Sequence, residues 1–291
     1  MKDGFLKVAA FSPALRVADC TYNAQQILEQ LQAATQRGVK LAVFPEFCLT
    51  GYTCGDLFLQ RTLQQGALDA LEWLLAQTRT LDTVALVGLP LLVHGKLYNC
   101  AAVLCRGQLL GIVPKTYLPN YGEFYEKRQF TPGNTEVENV TVCGQEVPFG
   151  TSLLFRCRQM PSFVLGVELC EDLWSALPPS TFHALAGATV IANLSASDET
   201  VGKAEYRRAL GLVALCTLSS IAFALVPNEK DGTTTIGVVE EPLRYWGILL
   251  VSMLGVGLFW LLLHYRRQLA ARFPAAVLAV VLGFSFVYGQ V

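Results

Sequence analysis

The sequence has no Cys-x-x-Cys pair, and its three histidines and nine cysteines are not grouped at the spacing of a zinc site. We therefore expect no bound metal. The N-terminus, MKDGFLKVAAFSP, lacks the apolar stretch of a secretory signal peptide. Together with the scattered cysteines, this absence favours a cytoplasmic domain with reduced thiols.

An excess of charge of either sign is also missing. Lysine and arginine number 22 and aspartate and glutamate 23, which leaves a net charge of -1. Such a chain has no extended basic surface to attract a phosphate backbone. We therefore expect no nucleic-acid partner.

The chain up to about residue 208 alternates apolar and amphipathic segments. Strands are predicted in FLKVAAFSP, VKLAVFPEF, SLLFRC, SFVLGVELC and TVIANLSAS, and helices in TYNAQQILEQLQAATQRG, TLQQGALDALEWLLAQTR and PPSTFHALAGA. Between them, three further strands should be joined by turns at His94-Gly95 and Arg106-Gly107, followed by a polar loop over 116–134. This order is typical of an α/β sandwich.

The last 83 residues differ, because three apolar runs dominate them. The runs at 209–226, 245–263 and 273–288 contain 18, 19 and 16 residues, and the first two approach the length that crosses a bilayer. The positions of the flanking arginines place the N-terminus in the cytoplasm. We expect one domain over 1–208 and a membrane region with two or three helices over 209–291. Three buried core elements are the alternative.

Three predicted strand ends carry a carboxylate, an amine and a thiol. These are Glu46 in FPEF, Lys115 in VPKTYLPNYGEF and Cys170 in VLGVELCEDLW. Side chains at the carboxyl ends of neighbouring strands meet in one crevice of an open α/β sheet. Glu46 could deprotonate the thiol, and the Lys115 ammonium could stabilise an oxyanion. That set suits acyl transfer on an amide or nitrile, although a packing cysteine, a helix-start glutamate and a solvated lysine remain open readings.

The order of these three residues resembles the nitrilase superfamily of carbon-nitrogen hydrolases. More narrowly, FPEFCLTGYTCGDLFLQ (44–60), PKTYLPNYGEFYEKRQFTPG (114–133) and NLSASDETVGKAEYRR (193–208) resemble the glutaminase domain of glutamine-dependent NAD synthetases. The resemblance covers residues 1 to about 208. It implies a nitrilase-like α/β/β/α sandwich, incomplete here and followed by the predicted transmembrane helices.

The resemblance implies a glutamine amidohydrolase that forms a cysteine thioester and needs no cofactor. Cys170 would attack the side-chain carboxamide, Glu46 would act as general base and then as acid, and Lys115 would stabilise the tetrahedral intermediate. The residues expected to line the glutamine pocket are Tyr121, Phe124, Glu171 and Ser197. Glu126 and Tyr52 would support the three catalytic residues from behind.

The sequence departs from this resemblance near Ala209 and contains no SGGxDS-like pyrophosphate loop. We therefore expect no NAD synthesis by this chain itself, with the ammonia passing to a separate NAD synthetase. Three explanations of the C-terminal part stay open: a natural membrane anchor, a join of two unrelated reading frames, or a diverged end of the sandwich.

The sequence leaves more than one interpretation of the assembly and of the function open. By resemblance the protein should form a homo-oligomer, with a cytoplasmic catalytic domain anchored in the cytoplasmic membrane. Instead of glutamine, the substrate could be another small amide or a nitrile. The chain could also be an inactive membrane-tethered remnant or a chimeric chain.

Overall fold

The computed structural model describes residues 5–198 and 200–205, which form two β-sheets with helices on their outer faces. The larger sheet has seven strands in the order β1-β2-β3-β4-β5-β7-β6. Its strands are β1 (Val8–Ala10), β2 (Leu41–Val43), β3 (Val84–Val93), β4 (Lys96–Cys105), β5 (Gln108–Pro114), β6 (Glu138–Val142) and β7 (Gln145–Phe149). Strands β1, β2 and β3 are parallel, whereas β3, β4 and β5 form an antiparallel meander.

The smaller sheet has three strands within the described residues, in the order β10-β9-β8. Its strands are β8 (Leu154–Arg156), β9 (Val164–Leu169) and β10 (Val190–Leu194). Strand β9 is buried along its whole length and pairs in parallel with β10 and antiparallel with β8. The central strand is therefore covered on both faces, as its mostly apolar sequence predicts, and it also buries Glu168.

Two long helices cover the outer face of the larger sheet, and a short one lies outside the smaller sheet. The α-helices are α1 (Cys20–Gln36), α2 (Arg61–Gln77), α3 (Glu126–Gln129) and α4 (Pro179–Leu185), and 3₁₀ helices span Tyr52–Leu59 and Cys170–Trp174. In α1 the buried residues recur at helical spacing, at Ala24, Ile27, Leu28 and Leu31. Its N-terminus is capped by Asp19, whose side chain accepts the Tyr22 N–H at 3.1 Å.

The alternation of side chains along each strand explains the layers. Ala85 and Val87 of β3 face the core under α1 and α2, whereas Leu86 between them faces the smaller sheet. On the other side of that second core lie Leu165, Val167 and Leu169 of β9 together with residues of β10. The described residues therefore form the α/β/β/α layers that the family resemblance implies.

The two predicted turns of the meander are confirmed. His94 and Gly95 have φ of 48° and 75°, and Arg106 and Gly107 have 53° and 74°. Positive φ at both central residues characterises the two-residue hairpin turn that matches the twist of the strands.

A third hairpin was missed by the sequence analysis. Strands β6 and β7 pair antiparallel around Cys143 and Gly144, which have φ of 47° and 71°. The signal is the same Xaa-Gly pair, but the flanking strands carry glutamate, asparagine and threonine and bury only alternate residues. Within the expected polar loop the structure also forms α3.

The three apolar runs of the C-terminal part, and the predicted membrane region over 209–291, lie outside the described residues. Within residues 5–198 and 200–205, the helices are all too short or too polar to cross a bilayer. The membrane anchor and the boundary at residue 208 stay predictions.

Candidate active site

Glu46 lies in the turn directly after β2 and is 1% exposed. Its Oε1 accepts hydrogen bonds from Lys115 Nζ at 2.7 Å and from Asn99 Nδ2 at 2.6 Å. The turn packs so closely on β3 that a Cβ at Gly88 would lie 2.3 Å from the backbone nitrogen of Phe47. The absence of a side chain at Gly88 therefore sets the position of Glu46.

Lys115 follows β5 at the same end of the sheet, and its side chain is fully buried. Its backbone N–H donates to the carbonyl oxygen of Asn99 at 2.8 Å, which continues the pairing with β4. Its ammonium donates to Glu46 Oε1 and, at 2.6 Å, to Glu126 Oε1. A buried amine thus contacts two buried carboxylates.

Glu126, at the start of α3, completes this group. The Tyr52 hydroxyl donates to Glu126 Oε1 at 2.8 Å, and Asn99 Nδ2 donates to Glu126 Oε2 at 3.2 Å. Glu46 and Tyr52 therefore share one hydrogen-bond network with Lys115 and Glu126, which lie about 70 positions further along the sequence. We call these four residues and Asn99 the buried ionic network.

The charged groups in this network shift one another's pKa values. Burial alone would lower the pKa of Lys115, but the negative charges of Glu46 and Glu126 raise it above its ordinary value. Burial and the charge of Glu46 raise the pKa of Glu126, against the opposing effect of Lys115. The pKa of Tyr52 is raised by burial and by Glu126, so this residue remains a neutral hydrogen-bond donor.

Cys170 stands at the end of β9, as the first residue of the 3₁₀ helix, and is 6% exposed. Its φ is 40°, a left-handed conformation that non-glycine residues seldom adopt. Such strain persists only where the surrounding structure imposes it, and it occurs preferentially at functional sites. The conformation ends the strand abruptly at the thiol.

The Cys170 thiol interacts electrostatically with Glu46 and Lys115 of the buried ionic network. Burial and the charge of Glu46 raise its pKa to about 12, against the opposing effect of Lys115. The Ser195 hydroxyl also donates to Cys170 Sγ at 3.4 Å. Without substrate, Cys170 is therefore a neutral thiol at physiological pH.

Two groups of the network retain unused hydrogen-bonding capacity. Glu46 Oε2 is buried and has no hydrogen-bond partner among the residues that the structure describes. The ammonium of Lys115 has three N–H donors, of which Glu46 and Glu126 occupy two. A free carboxylate oxygen and a free N–H donor are what a general base and an oxyanion site require.

The residues predicted to line a pocket form two groups. In the first, the Tyr121 hydroxyl donates to Glu171 Oε2 at 2.8 Å, and the Phe124 ring contacts both Tyr121 and Tyr52 edge-on. In the second, the Ser197 hydroxyl accepts a hydrogen bond from Lys203 Nζ. The Ser197 N–H donates at 3.3 Å to the hydroxyl of Ser195, which itself contacts Cys170.

The described segments, 5–198 and 200–205, contain no group of three or more histidine, cysteine, aspartate or glutamate side chains arranged to hold a metal ion. The carboxylates at the site are instead occupied by Lys115, Asn99 and Tyr52.

The sequence profile of the carbon-nitrogen hydrolase family matches residues 7–214. The chain belongs to this family. Among individual proteins, it is 43% identical over 233 residues, or 80% of its length, to the glutamine-dependent NAD(+) synthetase of Mycobacterium tuberculosis. This chain spans about a third (34%) of that relative's length. Both matches extend beyond residue 208.

Solved structures agree with this assignment. The glutamine-dependent NAD(+) synthetase of Cytophaga hutchinsonii superposes with a TM-score of 0.62 at 29% identity, over 70% of this chain and 33% of that one. An amidase from Nesterenkonia sp. has a TM-score of 0.52 at 19% identity, over 68% of each chain, which supports the fold alone. The nitrilase-like fold and the match to the glutaminase domain of NAD synthetases are thereby confirmed.

In this carbon-nitrogen hydrolase, the sequence analysis missed several residues at the site. Asn99 is fully buried in β4, and a polar side chain in the apolar stretch LYNCAAVL was the available signal. Ser195 and Lys203 lie inside a quoted motif but had no distinguishing pattern. Asp172 lies inside the quoted stretch VLGVELCEDLW but had no distinguishing pattern, whereas the structure buries it completely.

Proposed function

We propose that this carbon-nitrogen hydrolase releases ammonia from the side chain of glutamine through a thioester at Cys170. The main observation is the neutral Cys170 thiol beside a buried carboxylate, Glu46, that has one oxygen without a partner among the described residues. A neutral thiol must lose its proton as it attacks, and Glu46 is the base coupled to it.

In the first step Cys170 Sγ bonds to the carboxamide carbon while its proton passes to Glu46 Oε2. The carbonyl oxygen becomes negatively charged, and the third N–H of Lys115 and the backbone N–H of Glu171 donate to it. When the tetrahedral intermediate collapses, the carbon–nitrogen bond breaks and Glu46 returns the proton to the nitrogen. The products are ammonia and a γ-glutamyl thioester.

In the second step water attacks the thioester carbon and gives a proton to Glu46. The carbon–sulfur bond breaks, the proton passes to the sulfur, and glutamate leaves. Between the steps, the ion pair of 2.7 Å with Lys115 holds Glu46 in place. Glu126 and Tyr52 hold the ammonium in place.

Substrate selection would depend on charges at the two groups of pocket residues. Glu171, fixed by Tyr121, suits the α-ammonium of glutamine. Ser197 and the ammonium of Lys203 suit its α-carboxylate. A site with both charges favours an amino acid amide over a simple aliphatic amide, because the aliphatic amide has neither charged group to pair with Glu171 and Lys203.

The relatives suggest the use of the product. Glutamine-dependent NAD(+) synthetases of mycobacteria match 80% of this chain. We propose that the released ammonia is consumed by an NAD synthetase acting with this domain. The homo-oligomer and the membrane anchor remain expectations from the sequence.

The test is glutamate release from glutamine by the full chain in detergent. We expect turnover in the unmodified protein and in Cys157→Ala, a control substitution in the segment just after β8. We expect none in Cys170→Ala. Acetamide should be a much poorer substrate than glutamine. Equal turnover of both amides would favour a general amidase, and activity retained in Cys170→Ala would exclude the thioester mechanism.

A further inference from the structure

The catalytic residues proposed above come from two different sheets. Lys115 follows β5 of the larger sheet, and Cys170 follows β9 of the smaller sheet. Between these strands the contact is apolar, with Val113 packed in the same core as Leu165 and Val167. Apolar packing is non-directional, so it does not by itself fix the distance between a lysine and a thiol.

One carboxylate connects the two strand ends by directional bonds. Asp172 Oδ1 accepts the backbone N–H of Thr116 at 3.1 Å and that of Tyr117 at 2.7 Å. Asp172 Oδ2 accepts the backbone N–H of Leu169 at 3.0 Å. These donors include the residue just after Lys115 and the residue just before Cys170.

Asp172 has the properties of a fixed connection. It is 1% exposed, and none of these three hydrogen bonds involves a flexible side-chain donor. Charge-assisted bonds from backbone N–H groups to a buried carboxylate are among the stronger hydrogen bonds in proteins. Because both oxygens accept, moving one strand end relative to the other would break a bond at the opposite end.

We propose that Asp172 is a positioning residue that sets the separation between Lys115 and Cys170. The inference rests on the proposed amidohydrolase function for its kinetic consequences, but not for its geometry. Asp172 does not touch the substrate. It acts through the backbone on both sides of the site.

The chain offers a matched control in Glu168. This residue is also 1% exposed and lies two residues before Cys170, as Asp172 lies two residues after it. Glu168 accepts the Ser180 N–H at 2.9 Å and Asn193 Nδ2 at 3.3 Å, and so ties β9 to α4 and to β10 rather than to the Lys115 strand. Asp172→Asn and Glu168→Gln each remove a buried carboxylate, but only the first removes the connection between the sheets.

In the full chain, kcat and KM for glutamine should be measured for both variants and corrected for the folded fraction. In Asp172→Asn the amide nitrogen cannot accept a hydrogen bond, so one strand end loses its attachment. We expect kcat to fall by about 10- to 100-fold, with a much smaller change in KM, because misplacement of reacting groups acts mainly on the chemical step. Glu168→Gln should keep its kcat. Equal loss of kcat in both variants would overturn the proposal.

A second measurement does not need glutamine turnover. The rate at which methyl methanethiosulfonate modifies Cys170 at one fixed alkaline pH reports the thiolate fraction. Loss of a nearby negative charge alone would speed the reaction, whereas loss of the Lys115 position removes a stabilising cation and should slow it. We expect slower modification in Asp172→Asn and no slowing in Glu168→Gln. Faster modification in Asp172→Asn would contradict a positioning role.

The two readouts separate the hypotheses. If the unmodified protein does not hydrolyse glutamine but Asp172→Asn slows the thiol reaction, the proposed function fails and the positioning role stands. If Asp172→Asn does not fold, Asp172→Glu keeps both acceptor oxygens on a longer side chain. A partial loss of kcat and a slower thiol reaction are then expected, and unchanged values for both would overturn the proposal.

Discussion

The two sheets hold their parts of the site in different ways. The larger sheet supports Glu46, Lys115 and Glu126 through side-chain hydrogen bonds between buried charges. The smaller sheet presents Cys170 as a neutral thiol, held by backbone conformation rather than by charge. The Lys115 ammonium is charged before substrate arrives, whereas the Cys170 thiol becomes reactive only during attack.

The contrast between the two sheets shows which part of the electrostatic stabilisation is in place before the substrate binds. Carboxylates and an ammonium can be buried together because each offsets the cost of desolvating the others. A buried thiolate facing Glu46 would lack such compensation, so the thiol stays protonated. An arrangement with fixed dipoles and charges on one side and a neutral nucleophile on the other is suited to stabilising a transient oxyanion.

The largest expected effect comes from removing the cation. Lys115→Met leaves Glu46 and Glu126 buried without a counter-charge, and we expect a loss of about 3–5 kcal/mol in the free energy of unfolding near neutral pH. Denaturant unfolding of the full chain measures it. Glutaminase activity should disappear as well.

The pH dependence of the unfolding free energy provides a second test of the Lys115→Met prediction. Without Lys115, burial and the charge of Glu46 hold the pKa of Glu126 above its value in the unfolded chain, so the protonated form of Glu126 stabilises the folded state. That contribution is present at low pH and is lost as the pH rises through the folded-state pKa. The destabilisation should therefore be smaller near pH 5 than near pH 8. A destabilisation by Lys115→Met that does not change with pH would argue against buried charges as its cause. The double variant Lys115→Met with Glu126→Gln should be destabilised less than Lys115→Met alone.

The next largest effect should be the low chemical reactivity of the Cys170 thiol. With a pKa of about 12, only about one Cys170 side chain in ten thousand is ionised at pH 8, against roughly a quarter of an ordinary thiol. Modification of Cys170 by methyl methanethiosulfonate, followed by peptide mass spectrometry, should be more than about 100-fold slower than that of a small free thiol.

Substitution of the base tests the cause of this low reactivity. Glu46→Gln removes a negative charge that raises the pKa of Cys170 while leaving Lys115, so the reaction at a given pH should become faster. Cys170 that reacts as fast as the free thiol in the unmodified protein would show a preformed thiolate and would remove the contrast between the two sheets.

The smallest expected effects come from two glycines. In Gly88→Ala the new Cβ would collide with the backbone of Phe47 and Pro45, at 2.3 and 2.6 Å, and push the Glu46 turn off β3. We expect a loss of about 1–3 kcal/mol in unfolding free energy, together with reduced turnover. Thermal unfolding and glutamate release measure the two effects.

Gly66→Ala is the control, because its Cβ in α2 would lie 3.6 Å from Cys20 Sγ, an ordinary contact. Alanine in a helix interior should stabilise the fold by up to about 1 kcal/mol without changing turnover. Unimpaired activity in Gly88→Ala would show that close packing of this turn does not position Glu46.

Much of the fold followed from the sequence where period and turn chemistry agree. The spacing in α1, the apolar run of β9 and the His94-Gly95 turn each predict the observed element. The hairpin at Cys143-Gly144 was not predicted. It forms the edge of the sheet, and every second residue of its strands is polar, so the sequence shows little apolar signal there.

The sequence by itself determined the residue types at the strand ends and, through the motifs around Glu46, Lys115 and Cys170, the family. It could not determine that Asn99 bridges two carboxylates or that Asp172 connects two sheets. Apart from the local bond between Leu169 and Asp172, these hydrogen bonds join residues 27 to 56 positions apart. Only the tertiary structure decides them, because local periodicity reports which face of an element is buried and not which side chains meet there.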